Sequence, residues 1–379
     1  MSTAYFECFN GIAGDMVIGA MLHAGLPLEH LQDELSKLGL SGYKISVEEK
    51  WRTIHGADFK VHIEDKSYHK KYAEIIRIIE DSSLSGFVKG LSKKIFKRMG
   101  EAESAVHGYS VGDVHFHEVG DIDAIVDVVG ACIGVEYFNF DLIAASPIPF
   151  GGGSVKCAHG VLPNPAPATL ELLKGIPLET CAIKDEIVTP TGAAIITTIA
   201  QHFGESPLQK IEKIGYGFGD KDYGERVNAL RLLIGDGFPV VVIEANIDDM
   251  NPQIFGYVME RLLERGAVDV LMQPMQMKKN RPGILLSCQS PWNKKDELID
   301  IILKETTTFG VRYYPVERKV LKRELKTVIV ENMNVRIKQG FDDDGNLIKE
   351  IPEYEDVKRL AREKNLSLQS VYKLVLEKV

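Results

Sequence analysis

The side chains best suited to chemistry crowd into one short block, Val114-His115-Phe116-His117-Glu118-Val119-Gly120. His115 and His117 are two apart, so in an extended segment both imidazoles leave the same face. Glu118 adds a carboxylate, and Asp121, Asp123 and Asp127 follow directly. Asp123 and Asp127 are i, i+4 and share a face if the segment is helical. Neutral imidazole with carboxylate is a donor set for zinc, nickel, copper or iron. Spacing alone leaves a second reading open: strand histidines satisfied inside a core, with Asp121 capping a helix. His55, His62 and His69 recur every seven residues. On a strand that spacing alternates faces, so they need not converge. His69, in the polar run Tyr68-His69-Lys70-Lys71, is the better metal candidate of the three.

Two other stretches in the first half resemble strand-to-helix turns. Gly11-Ile12-Ala13-Gly14-Asp15 places small residues where backbone amides can face an anion at a helix start, or where Asp15 can take a metal. Thr189-Pro190-Thr191-Gly192-Ala193 opens another helix with hydroxyls, and Thr191 there suits a phosphate or carboxylate. Plain capping is the alternative for both. Cys157 lies in a Gly-rich loop two residues before His159. Asp15, Cys157 and His159 are the candidate catalytic residues.

No histidine follows His202, so the second half needs a different chemistry. Asn246-Ile247-Asp248-Asp249-Met250 puts adjacent carboxylates in a loop, which suits a hard cation carrying phosphates. Lys278, Lys279 and Arg281 supply cations at a strand junction, and Thr306, Thr307 and Arg312 add hydroxyls and a further guanidinium. Together they form a candidate nucleoside-triphosphate site. No Walker A sequence is present. The run Asp342-Asp343-Asp344-Gly345-Asn346 lacks the glutamate of a calcium loop and reads as a hairpin turn.

The elements that must position these residues follow from periodicity and turn signals. A strand over 4–9 leads to helices over 16–24 and 27–38, a hairpin over 43–64, and helices over 71–81 and 85–106. A strand carries the histidine block, and a helix follows over 121–135. Residues 144–168 read as an ordered functional loop, and Gly215 to Gly219 as a Gly-rich stretch before a strand at 229–234. The best boundary is 235–239. Beyond it, strand 240–245, helix 252–265, strands 268–275 and 283–289, helix 294–305 and strand 311–320 give βαββαβ, the ferredoxin-like order. A hairpin over 324–339 and helices over 352–363 and 368–377 complete an α+β chain. It divides into an N-terminal mixed α/β part, 1–237, for metal and precursor, and a ferredoxin-like part with terminal helices, 240–379, for nucleotide.

At 379 residues the chain is long enough for two or three cores. A formal net charge of -9 argues against general nucleic-acid binding. No apolar run is long enough for a membrane span, and the start lacks a signal peptide's pattern, so a cytoplasmic protein is expected. The five cysteines are scattered with no CxxC, so neither a disulfide framework nor a zinc knuckle is expected.

Taken in order, these stretches resemble the LarC family: Phe9 to Met16, His115 to Asp123, Cys157 to Gly160, Pro163 to Thr169, Thr189 to Ala194, Glu244 to Met250, Met277 to Gly283 and Glu305 to Arg312. The likeness spans nearly the whole chain. It implies a nickel insertase acting on pyridinium-3,5-bisthiocarboxylic acid mononucleotide. Nickel–carbon and nickel–sulfur bonds would form, giving the nickel-pincer cofactor of an apo lactate racemase-type acceptor. CTP would be consumed in the C-terminal part with manganese or magnesium, and a homo-oligomer is expected. The site residues follow from joining this implication to the readings above. His115, His117, Glu118, Asp123 and His69 would handle nickel. Asp248 and Asp249 would hold the CTP-linked cation. Lys278, Lys279, Arg281, Thr306, Thr307 and Arg312 would bind CTP, and Thr191 the precursor. Where relatives often carry a histidine-rich stretch, this chain has Tyr68-His69-Lys70-Lys71-Tyr72, which argues against a nickel store. Two rivals remain from other classes. One is a non-catalytic nickel chaperone or store. The other is a metal-dependent hydrolase of nucleotides or ADP-ribose, which would need magnesium and ignore nickel.

Overall fold

A computed structural model describes residues 2–378 apart from 52, 65–69, 114–120, 158–159, 225, 238–239, 317 and 343. The chain divides into two compact units, 1–316 and 317–379.

The first unit opens with β1 (Ser2–Glu7), α1 (Gly14–His23), α2 (Leu28–Ser36) and the hairpin β2 (Tyr43–Trp51) and β3 (His55–Ile63). Next come α3 (Tyr72–Asp81), α4 (Gly86–His107), α5 (Ile122–Phe138) and β4 (Leu142–Ala145). Ser85 starts α4 by accepting the Val88 N–H at 3.1 Å, and Gly108, in a left-handed conformation, ends it. α5 is buried nearly all round, from Ile122 to Val135. A helix apolar on every face must sit inside the core rather than on its surface.

The stretch 144–168, expected as loop, is broken into short strands. These are β5 (Ile148–Phe150), β6 (Ser154–Cys157) and β7 (Gly160–Pro163), ahead of α6 (Pro167–Leu172) and β8 (Leu178–Thr180). β6 pairs with β7 and β5 with β8. Runs this short carry too little periodicity to be read from sequence. α7 (Pro190–Ile199), β9 (His202–Phe203), β10 (Leu208–Phe218) and β11 (Ala229–Gly237) follow.

Seven strands form one mixed sheet in the order β2-β3-β10-β11-β1-β4-β9. Gly215 and Gly217, read from sequence only as part of a Gly-rich stretch before a strand, lie inside β10. A Cβ at Gly215 would sit 2.0 Å from the Ala20 carbonyl oxygen, and one at Gly217 1.9 Å from that of Met16. The glycines are there because α1 packs directly on the strand's backbone.

The same unit continues with β12 (Val240–Ile247), α8 (Pro252–Glu264), β13 (Asp269–Met277), β14 (Arg281–Ser290), α9 (Lys295–Glu305) and β15 (Arg312–Val316). The antiparallel order β13-β14-β12-β15 is the split βαβ arrangement that the element order implied. Val241, Ile243, Ala245 and Ile247 alternate inward from β12 against Val258 and Leu262 of α8 and Leu298 and Ile302 of α9. This core is separate from the one that ends at Ile234.

Residues 317–379, read from sequence as the tail of that domain, are a compact unit with a core of their own. β16 (Lys322–Val330), β17 (Met333–Phe341) and β18 (Leu347–Pro352) form an antiparallel sheet, where the sequence suggested only a hairpin. α10 (Tyr354–Lys364) and α11 (Leu368–Leu376) complete it. Asp342 closes the β17–β18 turn by accepting the Asn346 N–H at 2.7 Å, so this acidic run is a turn, as expected.

Candidate functional site

Two helix starts meet at the end of β1. The Ile12 N–H donates to the Ile187 carbonyl at 2.8 Å, and the Thr189 N–H to the Ile12 carbonyl at 3.1 Å. Such backbone-to-backbone contact needs glycine. A Cβ at Gly11 (φ 124°) would lie 2.0 Å from the Ile187 oxygen, and one at Gly192 2.5 Å from the Ile12 oxygen. The Gly11–Asp15 and Thr189–Ala193 stretches, separate in sequence, are therefore two halves of one construction.

A cavity of about 380 Å³ opens beside it. Asp15 at the start of α1, Asp123 and Asp127 on α5, and Thr191 on α7 all line it. Lys60 of β3, Lys221, Tyr223 and Asn228 line it too. Thr189 caps α7, its hydroxyl accepting the Gly192 N–H at 3.1 Å. Asp15 accepts the Met16 N–H at 2.8 Å.

Burial pushes the Asp15 carboxyl up to about 6, against smaller lowering by the Met16 amide and Lys60. Asp127 is raised well above the usual carboxylate range by burial, then by Asp15 and Asp123, and its Oδ1 has no hydrogen-bond partner. Burial also raises Asp123. Raised acids share protons or wait for a cation. The lysines are neutralised at the rim. Lys60 pairs with Asp58 at 3.2 Å and with Asp220, and Lys221 with Asp185 at 2.8 Å. Tyr223, pushed up to about 12 by burial, donates to the Glu186 carbonyl.

At Gly11–Asp15 the first-turn amide of Asp15 is already bonded to Asp127, and three carboxylates stand in the cavity wall. Sequence reading noticed Asp127 but gave it no role, and missed Lys60 and Lys221. Nothing in local spacing brings β3 and the segment after β10 to α1.

His69, His115, His117, Glu118 and His159 lie outside the described residues. The histidine block immediately precedes α5 in the chain. Cys157 ends β6, and its side chain is not described. His62 is exposed and bonded to Ser46 at 2.7 Å, and His55 contacts His23 at 3.3 Å. Among the described residues no group of three or more His, Cys, Asp or Glu side chains could hold a metal ion.

The C-terminal candidates gather at one end of the four-stranded sheet. The register aligns Met277 with Arg281, Ile247 with Ile284, and Glu244 with Arg312, so the loops after β12, between β13 and β14, and before β15 are neighbours. Arg281 contacts Asp248 at 3.3 Å, Thr307 donates to Asp249, and Arg312 pairs with Glu244 at 2.9 Å. Lys279 and Asn280 turn the chain at φ 59° and 54°. Thr306 is a helix-end residue, its hydroxyl donating to the Ile302 carbonyl at 2.7 Å. The cluster is exposed, with oxygen donors and cations interleaved.

The family profile described as nickel insertion protein matches residues 4–372. The chain belongs to the nickel insertion protein family. A nickel insertion protein of Geotalea daltonii is 46% identical over 100% of this chain and 99% of its own. A protein of Desulfitobacterium hafniense, named pyridinium-3,5-bisthiocarboxylic acid mononucleotide nickel insertion protein, is 42% identical over 100% of this chain and 97% of its own. A solved structure of LarC2, the C-terminal domain of a cyclometallase involved in the synthesis of the NPN cofactor of lactate racemase, is 40% identical. It covers 37% of this chain and 95% of that one, with a TM-score of 0.35. Among the described residues no helix is long and apolar enough to cross a membrane.

Proposed function

We propose that this nickel insertion protein acts on pyridinium-3,5-bisthiocarboxylic acid mononucleotide, with CTP, to give the nickel-pincer cofactor of a lactate racemase-type enzyme. It would be a chelatase of the lyase class that forms nickel–carbon and nickel–sulfur bonds, working in the cytoplasm as a homo-oligomer. The observation that carries the reading is the cavity in which Asp15, Asp123 and Asp127 meet Thr191 at a helix start. The near full-length agreement with the Desulfitobacterium protein supports it.

The substrate brings its own donors, two sulfurs and a ring carbon, so the chain need supply only a transient ligand set. His115, His117, Glu118 and His69 deliver nickel, and Asp123 carries it toward the cavity. Thr191 and the amides of α7 take the precursor's phosphate. Asp15 and Asp127 release protons as the cation arrives. Forming a nickel–carbon bond also expels the ring proton. Asp15, Cys157 and His159 are the groups assigned to the reacting atoms.

CTP lies at the C-terminal loops. The oxygen-only donors there fit magnesium or manganese. Asp248 and Asp249 would hold that ion, which draws charge from the polyphosphate. Lys278, Lys279, Arg281, Thr306, Thr307 and Arg312 would hold the phosphates.

The carboxylate cavity also favours a second reading, because oxygen donors suit magnesium equally. A nucleotide or ADP-ribose hydrolase would then need no nickel. One assay separates the two. The protein is mixed with nickel, CTP, magnesium or manganese and the precursor, and an apo lactate racemase is asked to gain activity. Activation supports insertion. Nucleotide or ADP-ribose hydrolysis with magnesium and no activation supports the hydrolase.

A further inference from the structure

The unit of residues 317–379 carries a charged feature that none of the preceding chemistry uses. One face of its sheet is covered, with Val335 and Ile337 packed with Val357 and Leu360 of α10. On the other face the register sets Arg323, Gly340 and Lys349 in one row across β16, β17 and β18. Neighbouring strands are about 4.8 Å apart, so the two cations stand roughly 10 Å apart across a residue with no side chain. The next row brings Lys338 and the apolar Ile351. With Lys319 and Leu321 these residues line a cavity of about 350 Å³.

Gly340 keeps the floor open. A Cβ there would meet Leu321 Cδ1 at 3.0 Å and Lys349 Cγ at 3.5 Å. Lys338 is paired with Glu353 at 2.8 Å. Among the described residues no carboxylate lies within ion-pair distance of Lys319, Arg323 or Lys349. Three cations with no carboxylate partner among the described residues, set around a glycine gap in a chain of net charge -9, repel one another until an anion joins them. A guanidinium fork beside an ammonium matches phosphate oxygens.

The geometry points to a phosphate site in this groove, with Arg323 and Lys349 clamping a nucleotide phosphate over Gly340 and Leu321 and Ile351 offering apolar walls to the base. Every residue of the groove belongs to the unit of residues 317–379, whereas Asp248 and Arg281 belong to the unit of residues 1–316. It could take the polyphosphate of a nucleoside triphosphate or the single phosphate of a mononucleotide.

The test is calorimetry on the full chain with inorganic tripolyphosphate and a chelator, so that no divalent ion assists the other loops. The wild-type protein should bind. The double variant Arg323→Ala/Lys349→Ala should weaken binding by about tenfold or more, as loss of two charge-assisted contacts implies. Both residues are exposed, so its melting temperature should not move. Tripolyphosphate and CTP binding well above orthophosphate and CMP identifies a polyphosphate site. Equal binding of CMP and CTP identifies a mononucleotide site. No binding by wild type, or an unchanged affinity in Arg323→Ala/Lys349→Ala, overturns the proposal.

Discussion

The backbone N–H of Asp15 donates to the buried carboxylate of Asp127, so the start of α1 is tied to α5 through an acid held well above its usual range. The contact depends on Gly14, where a Cβ would lie 2.3 Å from Asp127 Oδ2. A carboxylate buried beside two others costs stability unless it is protonated or meets a cation. That cost belongs to function rather than to folding.

Asp127→Asn should therefore stabilise the protein while disabling it. The amide still accepts the Asp15 N–H but carries no charge. Asp127 is raised in the folded state, so the fold binds this proton more tightly than the unfolded chain does. Its ionisation removes stability as pH rises above the ordinary carboxylate range. The variant should melt higher than wild type at about pH 8, by about 2–4 °C for each kcal/mol recovered. The difference should shrink in acid, where wild type is protonated too. Insertion activity should fall. An Asn variant that melts lower at both pH values would remove the burial argument.

Binding of nickel to the cavity should follow the same protons. Asp15 sits at about 6, so at lower pH a cation must displace its proton, and affinity should climb through that region and level off above it. Equilibrium dialysis of nickel across pH measures this. Asp15→Asn should flatten the rise. A pH profile identical in wild type and variant would exclude Asp15 from the site.

How far the sequence revealed this arrangement depends on the distance over which each signal acts. The βαββαβ order was readable because each strand and helix of β12 to β15 buries one alternating or periodic face, as Val241, Ile243 and Ala245 do. The strand β10 was not legible around its glycines because their cause is α1, far away in sequence, pressing on the strand backbone. The cavity was half legible. Asp15, Asp123 and Thr191 stand out as residues at helix starts. Lys60 reaches the site only through the pairing of β3 with β10, which no local pattern encodes.

The paired turns give a structural prediction. Gly192→Val would place a Cβ 2.5 Å from the Ile12 oxygen, backbone that cannot yield as a side chain can. Overpacking of this kind costs about 1–3 kcal/mol, and here it would also push α7 away from α1. Thermal melting should drop, and nickel transfer should drop further than stability alone explains when assayed well below the melting point. Gly86→Ala, at a position with open space around it, is the control and should change neither. A Gly192→Val protein with wild-type melting would refute the close approach.

The histidine block can be tested against the same cavity. His115→Ala/His117→Ala should lower nickel bound per chain by elemental analysis, and Asp123→Asn should slow transfer to the precursor with less effect on nickel held. Such a split follows if the block captures the metal and α5 carries it inward. Equal nickel content in the histidine variant and wild type would take His115 and His117 out of the site.

At the C-terminal loops the ion pair of Arg281 with Asp248 is exposed, and a pair of that kind contributes at most about 1 kcal/mol to stability. Its value would lie in holding the two groups ready for a ligand that needs both a cation and a carboxylate-bound metal. Lys278→Ala/Arg281→Ala should weaken CTP by about tenfold or more in calorimetry with manganese present, with little change in melting. Asp248→Asn should weaken CTP only when the divalent ion is present, because its role is to hold that ion. If both variants lose affinity equally in a chelator, Asp248 acts by positioning Arg281 and not through a metal. If neither loses any, the nucleotide does not bind at these loops.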